Sequence, residues 1–381
     1  MTCQVRLAII LFTIVNALFV MKYSIRFFPN YFIYLTFAYI SCALLFICKL
    51  RPYIITKQKW NYVLLALGGG GIIFMALLQY SVDPFSIKVD RWSALHFPIT
   101  YLLHGEYPYM AQTHLGGYGS PFPIWQLFHV PFFLLGNVGL SFFFCISLFL
   151  FCIFKVYGKE RMIYVLSMIT ISPSVWYEAI VRSDLISNIF LCTTFIIYMT
   201  KNMNEEWIGK KLLFISTITA LLTSTRLITI IPIAMFMLPW FIKMNWKKQA
   251  KSIIFFLTVL FVTFAPLAIW DWNNFFFFEH NPWSLQTRQG SFVDFVIYIP
   301  LFIFLSISWR ENLKQYYFNV SCMLIVFILI SMLHRMYFLN VWDPFYKYYD
   351  ITYYNCAIPF LMLCISSNTS HIHSFNIPLR K

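Results

Sequence analysis

Apolar runs of about sixteen to twenty residues recur from one end of the chain to the other, and short polar breaks separate them. A helix of that length crosses a hydrocarbon core of ~30 Å. The pattern predicts twelve spanning helices, at about 6–21, 31–48, 61–80, 138–154, 162–181, 185–200, 212–225, 227–242, 252–270, 292–308, 317–333 and 351–365. The expected fold is therefore all-α, a polytopic transmembrane helix bundle forming a single membrane domain. Within it, 1–60 reads as a helical hairpin, 61–242 as a central module and 243–381 as C-terminal helices with outer loops.

Composition agrees with the pattern. The chain is 60% hydrophobic and 11% charged, with a mean hydropathy of +0.71. A soluble chain of this length needs more polar surface to cover its core. Leu7 to Met21 follows a basic residue, but no small-x-small cleavage site comes after it. It is expected to be a first span rather than a signal peptide. Nine cysteines fall in or beside apolar runs. With no CxxC and no histidines at ligand spacing, they read as core fillers rather than disulfide or zinc ligands.

Charge sorts by alternate loops. Arg6, Lys49, Arg51, Lys57, Lys59, Lys155, Lys159, Arg161, Lys201, Lys210, Lys211, Lys243, Lys247, Lys248, Lys251, Arg310, Lys314, Arg380 and Lys381 share one side, which is 19 of the 28 basic residues. That side holds four of the 14 acids, Glu160, Glu205, Glu206 and Glu311, so it nets +15 against −1 opposite. An excess of Lys and Arg marks cytoplasmic loops. Both termini are then expected in the cytoplasm, and the net charge of +14 is a topology signal and an attraction for anionic lipid. Its spread over many short loops argues against nucleic acid as a partner. The expected host is a bacterial plasma membrane.

The longest outer segment, 81–137, holds Asp83, Asp90, Glu106 and many Pro and aromatic residues. Two stretches, Arg91 to Leu103 and Pro123 to Leu135, are too short to span and are expected as interfacial helices. GEYPY and GGYGSPFP force turns between them.

Asp90, Gly105, Tyr107-Pro108-Tyr109 and Tyr118 with Ser120-Pro121-Phe122-Pro123 lie in that order ahead of an apolar segment. This series resembles the first extracytoplasmic loop of the GT-C membrane glycosyltransferases, most closely those that use polyprenyl-phosphate mannose. Arg182-Ser183-Asp184 and Arg226 add to the likeness. The chain departs from the family in having Ser-Pro-Phe-Pro for Pro-Pro and in lacking Asp-x-Asp, which argues against a metal-dependent variant. The resemblance implies a hexosyltransferase that moves a mannose-like sugar from a polyprenyl-phosphate donor to a glycan or lipid-linked acceptor on the outer face. No cofactor is implied beyond the donor.

The residue types fit that chemistry. A single inverting displacement needs one carboxylate to take the acceptor proton, and cations to meet the leaving phosphate. Asp90 is the expected base, with Asp83 competing. Arg182, Arg226, Arg288 and Arg335 are the candidate phosphate ligands. Asp184, Tyr118, His96 and Trp125 are further substrate-side candidates. Each has a plainer reading. Asp83 before Pro84 suits a turn, Arg182 and Asp184 suit a structural ion pair, and Arg226 suits a snorkelling side chain. Trp272, Trp283 and Glu279 in 271–290, and Trp342, Asp343, Lys347 and Asp350 in 334–350, suit carbohydrate and an interfacial aromatic belt equally well. A transporter or flippase of lipid-linked sugars and an envelope glycan polymerase or ligase remain as alternatives.

Overall fold

Helix is the regular structure of this protein. A computed structural model describes residues 2–56, 58–202, 205–288, 290–309, 312–346 and 349–367. Among them there is no strand, and the one extended pairing is an isolated bridge between Gln112 and Tyr118. Lys57, Arg310, Glu311, Lys347, Arg380 and Lys381, used in the charge argument or named as loop residues, lie outside the described residues.

In chain order the helices begin with α1 (Cys3–Phe27), α2 (Phe32–Thr56) and α3 (Gln58–Ser81). The long loop carries α4 (Ser93–Leu103) and α5 (Pro123–Leu134). Then come α6 (Leu140–Tyr157), α7 (Lys159–Thr170), α8 (Pro173–Ile180), α9 (Leu185–Asn202), α10 (Glu205–Thr223), α11 (Ile230–Lys243) and α12 (Trp246–Trp270). The chain continues through α13 (Trp272–Phe276), α14 (Pro282–Thr287), α15 (Phe295–Ser308), α16 (Leu313–Leu339) and α17 (Ile358–Ser366).

Each expected run falls on helix, but not every run is long enough to span. Among the described residues six helices are long and apolar enough: α1, α2, α3, α6, α12 and α16. A seventh span is possible if α7 and α8, bent by 73° at the break between them, count as one. Four further apolar stretches, Leu185–Lys201, Leu227–Lys243, Phe295–Ser308 and Ile351–Ser366, are shorter, and the first turns of α10 carry Glu205, Glu206, Lys210 and Lys211. The protein thus has several membrane-length apolar helices rather than twelve full ones. Ser172-Pro173 bends the run expected at 162–181, and residues 224–229 separate α10 from α11.

The chain divides into two compact units. One comprises Met1–Leu78, Ser147–Glu178 and Phe292–Lys381. In it α1 packs on α2 and α17, and α16 packs on α15 and α17. Arg161 caps the end of α17, donating to Leu363 O (2.8 Å) and Ser366 Oγ (3.1 Å), where a cation complements the helix dipole. Asn16 Oδ1 accepts from Ser172 Oγ (2.6 Å) and Ser174 N (3.2 Å), satisfying the start of α8 at the bend.

The other unit, Gln79–Ile146 and Ala179–Ser291, holds the long loop. Here α10 packs on α12, α4 on α5 and α9 on α11. Tyr107, Tyr109, Leu267, Ala268 and Phe275 make one apolar cluster with Phe264 and Trp283. Trp92, Ile99 and Val138 make another with Val130 and Phe133. The loop is therefore a folded part of this unit, as burial of its aromatic residues demands.

Candidate functional site

The Ser120-Pro121-Phe122-Pro123 turn is tied on every side. Pro121 O accepts from Tyr109 Oη (3.1 Å) and Gln126 Nε2 (3.2 Å). Phe122 N donates to Thr225 O (3.1 Å). Gln286 of α14 donates to Ser120 O (2.8 Å) and accepts from Leu227 N (2.7 Å). One side chain thus joins the early loop, the break after α10 and the 271–290 segment. Pro at positions 121 and 123 removes two backbone donors and presets the turn into α5.

Beneath this turn lies a buried ion pair. Asp184, 1% exposed, follows the turn after α8; Arg226, 5% exposed, sits at the break after α10. Arg226 Nε and Nη2 reach Asp184 Oδ2 at 2.7 and 2.5 Å. The same oxygen accepts from the indole Nε1 of Trp125 (2.7 Å). Burial by itself would raise the Asp184 carboxyl, but Arg226, by its charge and its hydrogen bond, and the charge of Arg91 outweigh it and hold the group below the usual carboxylate range. His129, fully buried on α5, donates from Nδ1 to Trp125 O (2.7 Å). Burial pulls its titration down to about 4, against the opposing pull of Asp184. The ring is therefore neutral at pH 7. Asp184 Oδ1 and His129 Nε2 have no hydrogen-bond partner among the described residues.

Asp90 stands half-buried at the entry to α4, where its carbonyl accepts from Ala94 N (2.8 Å) and Ser93 Oγ (3.0 Å). Thr113 Oγ1 donates to Asp90 Oδ2 (3.3 Å). His114 steadies the same stretch. It donates from Nε2 to Ile87 O (2.9 Å), and its Nδ1 bonds Ser93 Oγ (2.7 Å).

The remaining expected residues divide. Asp83 is exposed and caps a short turn, accepting from Phe85 N (3.1 Å), which is the plain turn role. Arg182 does not pair with Asp184. Its φ of 55° is left-handed, and its Nη2 donates to Gln79 O (2.9 Å) and Val82 O (3.1 Å). Burial lowers its proton affinity, against Asp83, which raises it. Tyr118 stacks on His280 (5.1 Å, 23°) and accepts from Gln112 Nε2 (3.0 Å). His96 stacks on Trp92 (4.8 Å, 21°), and burial lowers its titration. Arg288 is exposed at the end of α14. Arg335 lies on α16, in the other unit. Sequence reasoning missed Thr113 and Gln286, which carry no motif, and saw Trp125 as a stacking ring rather than a donor to Asp184.

Among the described residues no three His, Cys, Asp or Glu side chains converge at metal-binding range. Comparisons with protein-family models, with curated proteins and with solved structures find no significant match.

Proposed function

We propose that the protein is a polytopic membrane glycosyltransferase of the GT-C type. It carries about twelve membrane-embedded helices, both termini in the cytoplasm and α4 and α5 lying at the outer interface. It transfers a mannose-like hexose from a polyprenyl-phosphate donor to a glycan or lipid-linked acceptor on the outer face of a bacterial plasma membrane. The observation that carries the reading is the Asp90 loop: a half-buried carboxylate held by Thr113, in a stretch that His114 steadies through Ile87 and Ser93, and tied to the break after α10 through Phe122 and to α14 through Gln286.

Asp90 accepts the proton of the acceptor hydroxyl as its oxygen attacks the anomeric carbon. The bond from that carbon to the phosphate oxygen breaks, and the phosphate leaves with the electron pair. One carboxylate suffices, so the configuration inverts. Arg182 is committed to two carbonyls and two nitrogens of Arg226 to Asp184. The positive charge for the phosphate then falls to exposed Arg288 and to Lys88 beside Asp90. Purified protein in lipid, given a radiolabelled panel of polyprenyl-phosphate hexoses and membrane glycan extracts, should transfer sugar, and Asp90→Asn should lower turnover at least a hundredfold. Wild-type-like turnover in that variant refutes the base assignment.

A transporter of lipid-linked sugars is the second reading, and one observation favours it. The bent pair α7 and α8 carries a fully buried acid, Glu178, whose Oε1 accepts from Asn355 Nδ2 (2.9 Å). Broken helices with ionisable groups mark transport sites. Substrate flux across sealed vesicles without donor cleavage would select it.

A further inference from the structure

We propose that Thr113 and Gly117 are positioning residues that anchor Asp90 by Oδ2 and leave Oδ1 as the oxygen that takes the proton. The inference rests on the reading of Asp90 as the base.

Residues 113–117 close on themselves. Thr113 N donates to Gly117 O (2.8 Å), and Gly116 N donates to Thr113 O (2.9 Å). Gly116 holds φ +78°, a left-handed value that favours glycine. The hydroxyl of Thr113, a residue 5% exposed, accepts from Gly117 N (2.9 Å). With its acceptor side occupied, its proton points at Asp90 Oδ2, 3.3 Å away. Two linked bonds in this order reinforce each other. Gly117 supplies the space. A Cβ at 117 would lie 2.8 Å from Asp90 Oδ2 and 3.3 Å from Thr113 Oγ1. The carboxylate therefore sits on a glycine surface that any larger residue would fill. Asp90 Oδ1 accepts no hydrogen bond among the described residues.

The charged and titratable groups of the surrounding segments are Lys88 and Arg91 in the same loop, His96 on α4 and His114 in the turn. His96 is stacked on Trp92, and His114 is bonded at both ring nitrogens. Among the described residues, Thr113 is the one that donates to the carboxylate by hydroxyl.

Two variants and a rescue test this. Thr113→Val keeps the shape and removes the donor. The carboxylate then loses a bond that favours its charged form, so the acid limb of the transfer rate should move up by about half to one pH unit. Thr113→Ser should restore it. Gly117→Ala is allowed by the backbone, because Gly117 is not among the left-handed glycines. It displaces the carboxylate end, so kcat should fall at least tenfold with KM unchanged. The carboxyl 13C titration of Asp90, assigned by its loss in Asp90→Asn, reports on the protein without any turnover. An upward move in Thr113→Val, with reversal in Thr113→Ser, supports the anchor. An unmoved midpoint, or a Gly117→Ala enzyme with wild-type kcat, overturns it. A moved midpoint in a protein that transfers no sugar supports the anchor and overturns the enzymatic reading, so the two failures are separable.

Discussion

At the residue scale the Asp184 and Arg226 pair organises the unit that carries the long loop. Sequence marks both residues, because each interrupts an apolar run. It does not reveal the pairing, since Arg182 stands two positions from Asp184 and is the obvious partner. The left-handed turn at Arg182 sends its side chain instead to the carbonyls of Gln79 and Val82, and Arg226 arrives from 42 residues away. Removing one member of a buried pair strands the other, so Arg226→Leu should cost about 3–5 kcal/mol. Trp125→Phe, which deletes one donor to the same carboxylate, should cost about 1–3 kcal/mol. Thermal melts in lipid check both. His129 gives the pair a pH dependence. Its folded titration lies near 4 and its unfolded value near 6.5, so between them the unfolded chain binds more protons. Stability from this group is full above pH 6.5 and is lost as pH falls towards 4, by about 3 kcal/mol at most. The low-lying Asp184 carboxyl adds its own loss further into acid, as pH falls through its folded value. His129→Gln should flatten the melt between pH 4 and 6.5.

At the element scale the apolar runs were legible because burial in lipid or protein writes a simple pattern. Boundaries and breaks were less so. The 271–290 segment reads as a polar and aromatic loop, yet it folds into α13 and α14. Asp271 caps the first through Asn274 N (3.0 Å), and Asn281 caps the second through Ser284 N (2.9 Å). Helices of five and six residues are too short for periodicity to show. The four glycines of α3 make a sharper case. A Cβ at Gly68 would lie 2.4 Å from Leu166 Cγ on α7, whereas one at Gly69 meets nothing within 4 Å. Gly68→Ala should therefore lower the melting temperature by pressing on α7, at a cost of about 1–3 kcal/mol. Gly69→Ala should be neutral or slightly stabilising, since alanine favours helix by up to about 1 kcal/mol. Equal melts for the two variants would mean that α3 and α7 do not meet through Gly68.

At the scale of the whole molecule the sequence speaks most plainly about membrane residence. Several long apolar helices are consistent with it, while the count of spans depends on short and bent helices that length alone does not decide. The sorting of charge remains the basis for the proposed topology. Impermeant thiol labelling of a cysteine placed at exposed Leu115, against one at exposed Lys247, should mark the first from outside and the second only after permeabilisation. The decisive measurement is sugar transfer from the polyprenyl-phosphate hexose panel by wild type and Asp90→Asn, both reconstituted and both shown to melt alike. Transfer by wild type alone is the predicted result. Equal transfer by the two, or donor left intact by wild type with every sugar and extract, contradicts it.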